Sequence, residues 1–355
     1  MLVPACPAWG TIMVGFRIAL ALLMACVASG AKADAVADFF AGKQIAIEIG
    51  SEAGGGYDIY GRAVARHLGR LVPGNPAVVA RNMPGAGSLK VANFIYNQAP
   101  KDGTEIGAPQ NGVAFEKIFH TLSPNGENAL FDATKFTWLG SASESVYVLI
   151  SWHDSPVKTF DDLYTKELIV GAPATSTDNY VQAVMLNRMF GTKLKIVTGY
   201  AGSNAVALAL ERGEIGGSAG NDWSTITSAK PQWLSEKRIN ILLQLGLNSR
   251  PALKDVPSAV DLAKTPGDRQ VLELIFAKYG MSRPFMAPPG LPPERAKALR
   301  DAFAATLKDP QFLADAEKQR MEINPVTGEQ VDRLVRKIFA APPELAARAR
   351  EAIRE

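Results

Sequence analysis

The stretch Gln44-Ile45-Ala46-Ile47-Glu48-Ile49-Gly50-Ser51-Glu52-Ala53-Gly54-Gly55-Gly56-Tyr57-Asp58 decides the fold. Its first six residues, Gln44 to Ile49, read as a strand. Three consecutive glycines then break the run. A helix is predicted from about Asp58 to Leu71, because Tyr60, Val64 and Leu68 recur on one helical face. Strand, glycine loop and helix in succession are the building unit of α/β layer folds.

The same unit recurs on both sides of this stretch. Val78 to Arg81 reads as a strand, Met83 to Gly87 as a loop, and Ser88 starts a helix carrying Val91, Phe94 and Ile95. Asp102-Gly103 is a turn into a strand at Glu105 to Ala108. Further strands are predicted at Val146–Ile150, Leu168–Gly171, Leu194–Val197 and Ile239–Leu245. A helix from about Asp178 carries Val181, Val184, Met185 and Met189, and Ser203 is placed as the cap of a helix through Leu210. The last third reads as helical. Pro292 or Pro293 suits a first turn, Asp309-Pro310 starts another helix, and Thr327 with Gln330 fits a capping box. Two stretches of alternation predict two α/β lobes, with hinge segments near Leu139 to Ser143 and Leu247 to Arg250.

Upstream, Arg17 precedes an uninterrupted apolar run of 11 residues, Ile18 to Ala28, and Ala31-Lys32-Ala33 supplies a small-x-small cleavage pattern. That is the length and layout of an export leader, shorter than a spanning helix. Residues 1–33 are therefore expected to be a signal peptide, and the mature protein to be exported. The two cysteines, Cys6 and Cys26, both fall in this leader, which leaves lipidation at Cys26 as an alternative to cleavage. A mature chain without thiols has no cysteine nucleophile and no thiolate metal ligand. With 38 basic against 35 acidic residues in 355, the net charge of +3 gives no support to a nucleic-acid or membrane-surface partner. His67, His120 and His153 lack a metal-ligand spacing, and no Gly-Lys-Ser/Thr phosphate loop occurs, so neither metal nor cofactor is expected.

Function is expected in the loops. Gly54 to Asp58, Gly171 to Asn179 and Tyr200 to Asn204 are strand-to-helix junctions rich in small and polar residues. A helix start presents free N–H groups and the positive end of the helix dipole, a ready anion site. Ligands of α/β sheets lie beyond the carboxyl ends of the strands, where such loops sit.

These loops carry a resemblance. Gly54-Gly55-Gly56-Tyr57-Asp58-Ile59 resembles the glycine-rich loop of the Bug-type receptors, the periplasmic solute-binding components of tripartite tricarboxylate transporters. Arg81 to Ser88, Lys101-Asp102-Gly103-Thr104, Thr198 to Ser203 with Leu210 to Ile215, Ser249 to Ser258 and Ala287 to Pro292 are similar to further segments of that family, in the family's order. The resemblance runs from about residue 43 to 352. It implies a two-lobed periplasmic-binding-protein fold of type II-like form, each lobe a mixed sheet flanked by helices with a hinge. Lobe 1 would comprise 34–140 and 248–355, and lobe 2 141–247. It also implies a monomer that captures a small carboxylate, aromatic or dicarboxylic, and hands it to membrane transporter subunits.

Carried over by position, the expected ligand-binding residues are Gly54, Gly55, Gly56, Tyr57 and Asp58 in the first loop. Gln110 and Asn111 follow in the Pro109–Gly112 loop. Ala174, Thr175, Ser176, Thr177 and Asn179 come from the second lobe, with Asn221 at a strand end. The glycine loops would donate N–H groups, and Ser176, Thr177 and Asn221 side-chain hydrogen bonds. Asp58 is expected to orient its loop, or to bind an amino group or water, and not to touch a carboxylate directly, since a second negative charge beside one is unfavourable. Tyr57, at a position where the family has a small residue, would either stack on an apolar ligand body or pack on the lobe surface.

Two other classes share features of this sequence. A periplasmic ligand-carrier for a sensor kinase would look the same in sequence. A serine hydrolase is raised by Gly216-Gly217-Ser218-Ala219-Gly220, which matches the G-x-S-x-G elbow. In that class the histidine follows the serine, whereas the last histidine here is His153. The expectation is therefore a binding protein and not an enzyme.

Overall fold

The computed structural model describes residues 31–354 except 123–125 and 176. Nearly all of the expected leader, with Cys6 and Cys26, lies outside these, as does Ser176.

The chain builds two mixed sheets. The first contains β1 (Gln44–Ile49), β2 (Ala77–Asn82), β3 (Glu105–Ala108), β4 (Thr137–Ser141), β10 (Pro284–Ala287) and β11 (Val326–Thr327), in the order β11-β4-β10-β3-β1-β2. The second contains β5 (Tyr147–Trp152), β6 (Leu168–Gly171), β7 (Leu194–Val197), β8 (Gly217–Asp222) and β9 (Ile239–Leu245), in the order β7-β6-β8-β5-β9. β1 runs parallel to β2 and β3, and β6 parallel to β7 and β8, the pairing that helical crossover connections allow. The later strands β10, β4 and β11 add antiparallel partners to the first sheet, and β5 and β9 to the second.

Sequence periodicity places the first unit closely. β1 matches its predicted limits, and the helix Gly56–Leu68 begins on the third glycine. Tyr60, Val64 and Leu68 are buried against the sheet, each such side chain contributing roughly 1.5–3 kcal/mol. Gly61 allows that approach, since a Cβ there would stand 2.6 Å from Ile49 Cδ1. The predicted helix end is cut short: Gly69–Leu71 tightens into a 3₁₀ turn. Thr327 and Gln330 form the predicted capping box of the helix Gly328–Phe339.

Two readings are corrected. Leu139 to Ser141, predicted as hinge, are the end of β4, with Leu139 and Ser141 buried in the first sheet. The chain leaves that sheet after Ser141 and enters the second at Tyr147. The connector is held on both sides. Ala142 N–H donates to the Arg283 carbonyl, Ser145 N–H to the Tyr279 carbonyl, and Glu144 N–H to the Asn324 carbonyl. Ser203 does not cap its helix; Gly202 holds the cap position and Ser203 is the first helical residue.

Candidate ligand-binding cleft

A cavity of about 680 Å³ lies where the carboxyl ends of β1, β3 and β8 meet the start of the helix Asp178–Phe190. Its walls come from both sheets. The first contributes Gly56, Tyr57, Gln110 and Asn111, and the second Thr177, Asn179 and Asn221. The structure thus brings seven of the expected site residues together. Gly54, Gly55, Asp58, Ala174 and Thr175 are not part of the wall.

The first loop shows why. Asp58 is buried at 3% exposure, and its carboxylate accepts Gly54 N–H at 2.8 Å, Arg62 Nε at 2.9 Å and Asn82 Nδ2 at 2.7 Å. Burial works to raise the Asp58 pKa, but the Arg62, Gly54 and Asn82 bonds prevail and hold it below the ordinary carboxylate value. Asp58 therefore shapes the loop, and the Gly54 N–H is already used within it.

Four polar side chains of the cleft are also engaged internally. Asn179 Nδ2 donates to the Ala219 carbonyl at 2.7 Å and to Ser218 Oγ at 3.2 Å. Asn221 Nδ2 donates to the Ser218 carbonyl at 2.9 Å, and its Oδ1 accepts from Ser218 Oγ at 3.2 Å. Thr177 Oγ1 donates to the Ala174 carbonyl at 2.7 Å. Asn111 Nδ2 donates to the Lys278 carbonyl at 3.1 Å. These groups rigidify the rim. The same bonds account for Ser218: it is 1% exposed in β8 and tied to two asparagines, with no nucleophile's geometry.

Sequence reading missed the charged floor. Arg283, immediately before β10, lays its guanidinium over the Tyr57 ring at 4.6 Å and near the Tyr60 ring at 5.1 Å. One face of Tyr57 is thus taken by Arg283, and its hydroxyl accepts Asn111 N–H at 3.2 Å. A Cβ on Gly56 would lie 3.5 Å from Arg283 Nη2, so the cation sits directly behind the glycine loop. Opposite stands Asp222 at the end of β8, with Oδ2 3.6 Å from Arg283 Nη2. Asp222 Oδ1 is used as the cap of the helix Trp223–Ala229. Beside them, Asp178 Oδ1 accepts from Lys278 Nζ at 2.5 Å and Tyr279 Oη at 2.9 Å. Tyr147 stacks on Tyr279 at 4.1 Å. Burial pushes the hydroxyl pKa values of Tyr57, Tyr147 and Tyr279 up, so these phenols stay neutral. The one available signal was a lone arginine immediately before the apolar strand Pro284–Ala287, which nothing local explains.

A cleft walled by loops and helix starts from two mixed sheets is a particular architecture. The Polaromonas TctC solute-binding protein has the same fold, with a TM-score of 0.65 at 17% identity, over 86% of this chain and 98% of that one. The fold is that of the TctC and Bug solute-binding proteins. The periplasmic binding protein BugD superposes with a TM-score of 0.59 at 18% identity, over 87% of this chain and 97% of its own. A Rhodopseudomonas palustris protein with adipate superposes equally, at 0.59 and 19% identity, over 86% and 97% of the two chains. In sequence, the chain is 25% identical over 297 residues to the UPF0065 protein in the gbd 5' region of Cupriavidus necator, covering 82% of each. No family model matches the chain. Among the described residues, no helix is long and apolar enough to cross a membrane, and no group of three side chains could hold a metal ion.

Proposed function

We propose that the protein is an exported solute-binding protein that captures a small carboxylate and delivers it to a tripartite tricarboxylate-type transporter. The observation that carries this reading is a cleft of about 680 Å³ placing glycine loops and helix starts of both sheets around one volume, with a guanidinium behind the first loop. That volume suits a metabolite-sized ligand. Helix N-termini and Arg283 supply positive potential where a carboxylate would lie. A solved relative in fold holds adipate, a dicarboxylate, which supports the ligand class.

In this reading, lobe 1 (34–140 and 248–355) and lobe 2 (141–247) close on the ligand about the Ala142–Val146 connector and the return near Leu247–Arg250. The closed form is what the membrane subunits recognise. The leader directs the chain to the periplasm. The chain acts by binding and carries out no chemistry.

A thermal-shift panel of mono-, di- and tricarboxylates, neutral sugars and amides tests it. Raised melting temperature with a subset of acids, and none with the neutral compounds, is the expected result. Stabilisation by sugars and not by any acid would overturn the reading. Each hundredfold excess of ligand over its Kd adds about 2.7 kcal/mol of stability, an easily resolved shift.

A further inference from the structure

The Arg283–Asp222 pair has the form of an unfinished hydrogen-bonding site. Both side chains are nearly buried, 12% and 9% exposed, and both line the cleft. Yet their separation of 3.6 Å is too long for a hydrogen bond. Arg283 Nε and Asp222 Oδ2 are each buried without any partner. Leaving a charged donor and a charged acceptor unsatisfied at the same place is costly, and native proteins rarely do it without a reason. The neighbouring pair is different: Lys278 and Asp178 meet at hydrogen-bond distance and use each other.

The two residues come from opposite sheets. Arg283 is fixed at the connector, where its backbone N–H donates to Ser141 Oγ at 3.0 Å and its carbonyl accepts Ala142 N–H at 2.9 Å. Asp222 ends β8. Separation of the sheets would expose both, and closure would bring both onto whatever lies between.

Resting on the proposed binding function, the geometry points to Arg283 and Asp222 as the residues that set ligand specificity, for a carboxylate bearing a hydrogen-bond donor on the adjacent carbon. Arg283 takes the ligand carboxylate, as a charge-assisted pair. Asp222 Oδ2 accepts from the neighbouring hydroxyl or ammonium. Such a ligand supplies one acceptor and one donor a few ångströms apart, which is what the two orphaned atoms lack. A plain acid would satisfy Arg283 and leave Asp222 negative and unpaired beside it, a like-charge arrangement that works against binding.

Calorimetric titration with L-malate, L-aspartate and succinate tests this, since the three share a four-carbon diacid frame and differ at one substituent. L-malate or L-aspartate should bind at least about tenfold tighter than succinate, the worth of one charge-assisted hydrogen bond. The comparison of the first two separates hydroxyl from ammonium. Asp222→Asn keeps Oδ1 for the helix cap and should reduce that preference to within about threefold, while Arg283→Met should weaken all three acids. Circular dichroism melting of each variant verifies folding, and Arg283→Lys replaces Arg283→Met if the latter melts early. Equal binding of the three acids, or a preference untouched by Asp222→Asn, overturns the inference. If the wider panel finds a carboxylate without an adjacent donor that binds better than these, the inference fails and the binding-protein reading stands. If no carboxylate binds, both fail.

Discussion

Asp58 and Arg283 occupy opposite sides of the same short loop and do different work. Asp58 collects three donors and fixes the glycine backbone, the role expected of an acid in that loop from the cost of a second negative charge beside a carboxylate. Arg283 arrives from 225 residues downstream (Asp58 to Arg283), and locally it shows only as a lone arginine before an apolar strand. Away from the cleft, Glu105 at the start of β3 has a buried Oε2 without a partner. Burial, with the nearby Glu48 and Asp102 carboxylates, raises its pKa from 4.5 to about 7 against the pull of Arg81. Between those values the folded chain keeps a proton that the unfolded chain has released, so stability falls as pH rises through that window and levels off on either side. Urea midpoints at pH 4, 5.5 and 7.5 should therefore decline more steeply for the natural chain than for Glu105→Gln. A parallel decline in the two proteins would show that Glu105 is not responsible.

Among the elements, those with strong periodicity were legible. β1, β3, β6, β7 and β9 match their predicted limits. β8 was readable only as a strand end, because Gly217-Ser218-Ala219-Gly220-Asn221-Asp222 has neither alternation nor β-branched residues. Its glycines have a packing reason. A Cβ on Gly217 would meet the Ile150 carbonyl at 2.6 Å, and one on Gly220, at φ +65°, the Asp178 carbonyl at 2.6 Å. Small residues in β8 let β5 and the helix Asp178–Phe190 approach closely and bring Asp178, Asn221 and Asp222 to one cleft wall. Gly220→Ala combines a disfavoured backbone conformation with contact against main-chain atoms that cannot swing aside. It should cost about 1–3 kcal/mol in chemical denaturation. It should also weaken binding of whichever acid the thermal panel identifies. A midpoint unchanged within error would show that the loop relaxes freely.

For the molecule as a whole, the two sheets meet at the cleft and are joined by a connector bonded to 279–283 and Asn324. Arg250 reinforces it, with Nη2 2.8 Å from the Glu144 carbonyl and 2.6 Å from the Glu322 carboxylate. Such bracing favours rigid-body motion of the sheets over local loosening. Small-angle scattering with the acid found in the panel, at saturating concentration, should give a smaller radius of gyration than the ligand-free protein. An unchanged radius with binding confirmed would argue for a preformed site and against closure.

The succession of strand, glycine loop and helix and the Thr327–Gln330 capping box were determined by the sequence itself, because each depends on residues within a few positions of one another. The charged floor of the cleft was not. Arg283, Asp222, Lys278 and Asp178 are separated in sequence, and only the packing of two sheets against one connector places them side by side. Long-range pairing of charges is set by how the layers stack, and no short window of residues encodes it.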